Sequence, residues 1–89
     1  MMHAMKHVAL LLERMKNAPQ NVRFVDLVRV CEHFFGEPRQ QGTSHKVYRT
    51  PWAGDPRVNI QRGKAGKAKT YQVKQVLAAI ARLEEEHGS

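Results

Sequence analysis

A single cysteine, Cys31, is the whole thiol complement of this 89-residue chain. That excludes an internal disulfide framework and fits a reducing compartment. Long apolar runs are also missing. The longest, Val8 to Leu12, is too short for a membrane span or a typical signal-peptide core, so a cytoplasmic protein with no membrane association is expected. No internal repeat or low-complexity tract is present, and 42% apolar with 26% charged residues describes a globular chain. Its length implies one domain, residues 1–89, near the lower limit for an independent core. Carboxylates are scarcest where cations are densest. Between Gly42 and Lys74, only Asp55 opposes Lys46, Arg49, Arg57, Arg62, Lys64, Lys67, Lys69 and Lys74, so this segment carries the entire formal net charge of +7. Positive charge confined to one segment builds a local field, and the usual partner of such a field is a phosphate backbone.

The pattern of apolar residues supplies the elements. Met5, Val8, Leu11, Leu12 and Met15 recur at three- and four-residue spacing, predicting an amphipathic helix from Ala4 to about Lys16 that ends ahead of Pro19. His3 and His7 stand four apart but lack the further ligands a zinc site requires, so they read as solvated side chains. After a loop over Asn17 to Asn21, a wide stripe of Phe24, Val25, Leu27, Val28, Cys31, Phe34 and Phe35 predicts the main core helix, closed by Gly36. Cys31 falls on that stripe and is expected to be a buried hydrophobe, with His33 on the helix surface. Glu37 to Gln41 suits a short edge strand, and Gly42-Thr43 a turn.

Ser44 to Thr50 alternates, with His45, Val47 and Arg49 on one face and Lys46, Tyr48 and Thr50 on the other. Thr50 to Pro56 is dense in turn residues, and Arg57 to Gln61 is the returning strand, with Val58 and Ile60 on its apolar side. The glycine–lysine stretch from Arg62 to Lys69 has the wrong glycine spacing for a nucleotide-binding P-loop and no Gly-Lys-Ser/Thr ending. Thr70 suits an N-cap, and Val73, Val76, Leu77, Ile80 and Leu83 draw the face of a last helix. Glu84, Glu85 and Glu86 crowd its C-terminal end, where negative charge is mildly unfavourable. The expected fold is α+β: an N-terminal helix and loop over 1–20, then an α-β-β-β-α core over 21–87 with a three-stranded antiparallel sheet. That order is the arrangement of the double-stranded-RNA-binding domain.

Within this order, Val22-Arg23-Phe24 leading into Asp26-Leu27-Val28, then Gly42-Thr43-Ser44-His45-Lys46-Val47-Tyr48, resemble the HicA family of toxin–antitoxin systems. A Pro/Gly hairpin, the strand Val58-Asn59-Ile60 and the approach Lys67-Ala68-Lys69-Thr70-Tyr71 to the last helix extend the likeness to about Leu83. The family carries a Gly-Ser-His or Gly-Gly-His sequence at the start of its second strand. The resemblance implies a double-stranded-RNA-binding-domain-like toxin that cleaves mRNA and is neutralised by a HicB-like antitoxin, with His45 as the catalytic histidine. Two departures stand out. Gln61-Arg62 lies where many members have a second histidine, and Lys67-Ala68-Lys69-Thr70 replaces their common Lys-Pro-Gly-Thr.

Cleaving RNA requires the 2′-hydroxyl to lose a proton and the leaving 5′-oxygen to gain one. Histidine suits both tasks, because its unperturbed pKa of about 6.5 keeps both forms available near neutrality. Lys46, Tyr48, Arg49, Arg62, Lys64, Lys67 and Lys69 are the expected RNA-binding residues, the cations for phosphate and Tyr48 for a base. Trp52 is either a second stacking surface or a cap on the core from the hairpin. No metal or cofactor is expected, since Asp55 stands alone among these cations. Two other classes keep the same field without needing His45: a non-catalytic RNA- or DNA-binding module, and a basic interaction protein that docks an acidic partner.

Overall fold

The computed structural model describes residues 2–40, 45–54 and 56–88, with no side-chain description for 2–6, 40, 87 and 88. The expected Gly42-Thr43 turn, Ser44, Asp55 and the His3 side chain lie outside the described residues. The chain forms a small α+β fold of three helices and an antiparallel sheet: α1 (Met2–Asn17), α2 (Phe24–Phe35), β1 (Arg39–Gln40), β2 (His45–Tyr48), β3 (Val58–Gln61), a 3₁₀ turn at Lys64–Gly66, and α3 (Thr70–Gly88).

Each helix forms where the spacing of apolar residues gives it one buried side. Val8, Leu11 and Met15 of α1 point inward at three- and four-residue intervals. Arg14 and Lys16 occupy its last turn, where positive charge complements the helix dipole. In α2, Phe24, Leu27, Val30 and Cys31 are buried, and Gly36 ends the helix at φ 86°, its N–H donating to Glu32 O at 3.1 Å. The stripe differs from expectation at two positions. Val25 is 47% exposed whereas Val30 is fully buried. At 100° per residue, Val30 lies between Leu27 and Phe34 on the inward side, and Val25 falls one step off it. Cys31 is wholly buried and His33 exposed, as anticipated.

β2 and β3 form a four-pair antiparallel ladder, His45↔Gln61, Lys46↔Ile60, Val47↔Asn59 and Tyr48↔Val58. β1 lies against the other edge of β2 through Arg39↔Val47 and Gln40↔Lys46. Opposed residues share a face, so one face carries Lys46, Tyr48, Val58 and Ile60 and the other Arg39, His45, Val47, Asn59 and Gln61. Tyr48, Val58 and Ile60 are buried against the helices, and Asn59 and His45 are exposed. The helical layer thus covers the Tyr48 face and leaves the His45 face open.

This burial corrects the role expected of Tyr48. Its ring is completely buried, 6.4 Å from that of Phe35, and no RNA base can reach it. Its hydroxyl has no hydrogen-bond partner, and burial pushes both this phenol and the Cys31 thiol above their ordinary pKa ranges. An orphaned buried hydroxyl carries an uncompensated desolvation cost. Tyr48→Phe should therefore stabilise the fold by about 1 kcal/mol, raising the melting temperature by roughly 4–8 °C for a domain of this size. A lowered melting temperature would show that the hydroxyl is bonded after all.

At the far end of the hairpin, Thr50 Oγ1 donates to the Pro56 carbonyl and closes the loop. Trp52 is a cap on α3 here. Its indole N–H donates to Glu86 Oε1 at 2.8 Å, and Arg82 lies 4.2 Å over its ring while pairing with the same carboxylate at 3.3 Å. Glu86 therefore has a local purpose, despite its unfavourable place in the helix dipole.

Candidate nucleic-acid interface

His45 begins β2 on the open face of the sheet, exposed and directly opposite Gln61. In an antiparallel ladder, pairs that exchange both backbone hydrogen bonds alternate with pairs that exchange none. The Gln61 N–H is spent on Gln72 Oε1 of α3, at 2.8 Å. The His45–Gln61 pair is therefore of the second kind, whose Cα atoms lie about 4.5 Å apart and whose side chains are the closer. The Gln61 side chain in turn accepts a hydrogen bond from Lys69 Nζ at 3.1 Å. A single glutamine thus holds an ammonium group beside the imidazole. On the other flank, Arg39 is exposed and opposite Val47, which makes it a diagonal neighbour of His45 at about 7–8 Å.

The basic stretch after β3 is a tightly bonded loop. Gly63 N–H donates to Lys67 O at 2.8 Å, Lys67 N–H to Lys64 O at 3.0 Å, and Ala68 N–H to Val22 O at 2.8 Å. Bridges Arg62↔Ala68 and Arg23↔Lys67 fasten the loop to itself and to the start of α2. A Cβ on Gly63 would sit 2.9 Å from the Lys67 carbonyl oxygen, so only glycine fits there. Ala65 takes a left-handed conformation at φ 55°, which is unfavourable for a residue with a Cβ. Strain of that kind persists where surrounding bonds over-determine the backbone. Arg62 rests its guanidinium 5.2 Å over the Phe24 ring, and Lys64 and Lys67 are exposed. The Lys69 carbonyl receives the N–H groups of Gln72 and Val73, so Lys69 stands at the N-cap in place of the expected Thr70, which is the first helical residue. The positive end of the α3 dipole adds to the charge at this point.

Of the residues singled out by sequence, His45, Arg62, Lys64, Lys67 and Lys69 gather at one end of the molecule. Three do not join them. Lys46 faces the helical side of the sheet opposite Ile60, Tyr48 is in the core, and Arg49 follows the far end of β2, about 13 Å along the strand from His45. Sequence reasoning missed Arg39, Gln61, Gln72 and Tyr71. Gln72 is only 6% exposed and sits four residues from both Ala68 and Val76, and a polar residue on a buried stripe was the available signal. Tyr71, 58% exposed just after the N-cap, was an aromatic displaced from that stripe. Among the described residues no group of three or more His, Cys, Asp or Glu side chains converges, and no helix is long and apolar enough to cross a membrane.

Comparison with protein-family models, with curated proteins and with solved structures finds no match to this chain.

Proposed function

We propose that this chain is a HicA-type toxin, a cytoplasmic endoribonuclease that binds mRNA and cleaves it by acid–base catalysis at His45. The observation that carries the reading is the pairing of an exposed histidine with Gln61, whose side chain holds the Lys69 ammonium beside it. In this reading the short β1 completes a three-stranded sheet, and α2 through α3 form the double-stranded-RNA-binding-domain-like core, with α1 as an addition.

The chemistry follows from the groups at that spot. His45 removes the proton of a 2′-hydroxyl, and the 2′-oxygen attacks the adjacent phosphorus. The bond from phosphorus to the 5′-oxygen breaks, that oxygen takes up a proton, and the products are a 2′,3′-cyclic phosphate and a 5′-hydroxyl. Lys69 and Arg39, flanking the imidazole, offset the negative charge that grows on the phosphorane oxygens. Arg62, Lys64 and Lys67 hold the phosphates on either side. No metal or cofactor enters these steps. The test is incubation of purified protein with single-stranded RNA in the presence of a chelator. Cyclic-phosphate ends on the fragments support the reading. RNA binding without cleavage, unaffected by loss of His45, would assign the chain to non-catalytic binding modules instead.

A face this basic is also the natural docking site for an acidic partner, since complementary fields raise association rates steeply at low salt. In this reading a HicB-like antitoxin neutralises the toxin by covering His45 and the 62–69 loop. Titrating antitoxin into a complex of labelled RNA with His45→Ala protein should then release RNA in proportion to binding. A stable ternary complex would rule out simple blocking.

A further inference from the structure

Tyr71 is large, aromatic and 58% exposed, yet its position is fixed. The Gln61 N–H needs an acceptor and takes Gln72 Oε1, which sets the sense of the Gln72 carboxamide and turns its NH₂ outward. That NH₂ lies 3.4 Å from the Tyr71 hydroxyl oxygen. The ring is therefore anchored by α3 at its base and by Gln72 at its tip. One carboxamide separates its oxygen from the backbone that pairs with His45. Among the described residues no ring or guanidinium covers its faces. Burying such a ring would remove its apolar area from water, but here the area is kept in solvent and held still.

We infer that Tyr71 is a stacking platform for an unpaired RNA base, placing the nucleotide beside the phosphate that His45 and Lys69 address. The inference rests on the RNA-cleaving reading and adds the substrate class: single-stranded RNA, because a base inside a duplex keeps both faces occupied by its neighbours. Stacking of this kind tolerates any base, since each has a π-face, so Tyr71 contributes affinity and position with little sequence preference. The immobilised ring loses little conformational freedom on binding. Lys69 on one side and Lys74, three residues on and exposed, supply cations near the flanking phosphates.

The experiment uses the full chain carrying His45→Ala, to prevent cleavage, and a single-stranded oligoribonucleotide with one 2-aminopurine flanked by uracils. Tyr71→Ala should weaken binding by about 5- to 150-fold, leave the salt slope unchanged because no phosphate contact is lost, and remove protein-induced quenching of the 2-aminopurine. Tyr71→Phe should keep both binding and quenching, since the ring carries the contact. Tyr71→Trp, with a larger face, should bind at least as tightly and quench more deeply, which gives a readout even if the alanine variant is unstable. Unchanged affinity and quenching in Tyr71→Ala, with steep salt dependence intact, would overturn the platform and leave the RNA-binding reading standing. The same holds if Tyr71→Phe fails as badly as Tyr71→Ala. Absence of RNA binding by the parent protein would overturn both.

Discussion

Replacing His45 with alanine should lower RNA cleavage by about 10²–10⁴-fold, the usual contribution of a positioned acid–base group. The expectation is sharp because the fold does not depend on this side chain. His45 is exposed on the uncovered face of the sheet, and its strand is held by ladder partners and by the buried Tyr48 and Ile60. The melting temperature should thus stay where it is while activity falls, and expression of the variant should no longer arrest growth. RNA affinity should persist, because the imidazole contributes little to a field built from lysine and arginine. A variant as active or as toxic as the parent would remove His45 from the mechanism. An unfolded variant would contradict the exposure on which the assignment depends.

The second large effect concerns the loop. Substituting Arg62, Lys64, Lys67 and Lys69 together with alanine should reduce the slope of log affinity against log salt by about 2.8 for single-stranded RNA. Between 50 and 200 mM salt, the parent should then lose about 50-fold more affinity than the variant. The backbone hydrogen bonds of the loop and its fixed Gly63 remain in place, so these cations are lost without moving the chain. The one packing loss is Arg62 over Phe24, a contribution of about 0.5–1 kcal/mol at an exposed site. Adding Arg39→Ala should lower the slope by a further 0.7 or so, because this cation flanks His45 from the other strand. An unchanged slope in the quadruple variant would place the phosphate path elsewhere on the molecule.

Much of this architecture was legible in the chain because period and punctuation agree. Helices at spacing 3.6, glycine at the end of α2 and a Pro/Gly-rich hairpin are local signals, and the structure follows them closely. The inward face of β2 was not legible in the same way. Lys46 and Tyr48 on one side, and His45 and Val47 on the other, each pair one apolar residue with one polar residue. Only the register against Val58 and Ile60 decides between them, and register is a property of two strands. The choice sends Tyr48 into the core and His45 to solvent, so half of the expected binding residues of β2 depended on it. Cross-chain partnerships were equally hidden. Neither the link from Gln72 to Gln61 nor the Trp52–Arg82–Glu86 cluster leaves a trace at short sequence range.

The same Gln72 carboxamide bears on how the molecule behaves in company. β3 is the last strand of the sheet, and its outer side is a potential template for another chain. Along that side the outward-facing backbone belongs to Asn59 and Gln61, and Gln72 already occupies the Gln61 N–H. What is left is Asn59 and one carbonyl, too short a row for an invading strand to zip onto. A small, highly charged protein with a brief sheet is thereby kept from stacking edge to edge with its own copies, and the side chain responsible is the one that also steadies the ground beneath His45.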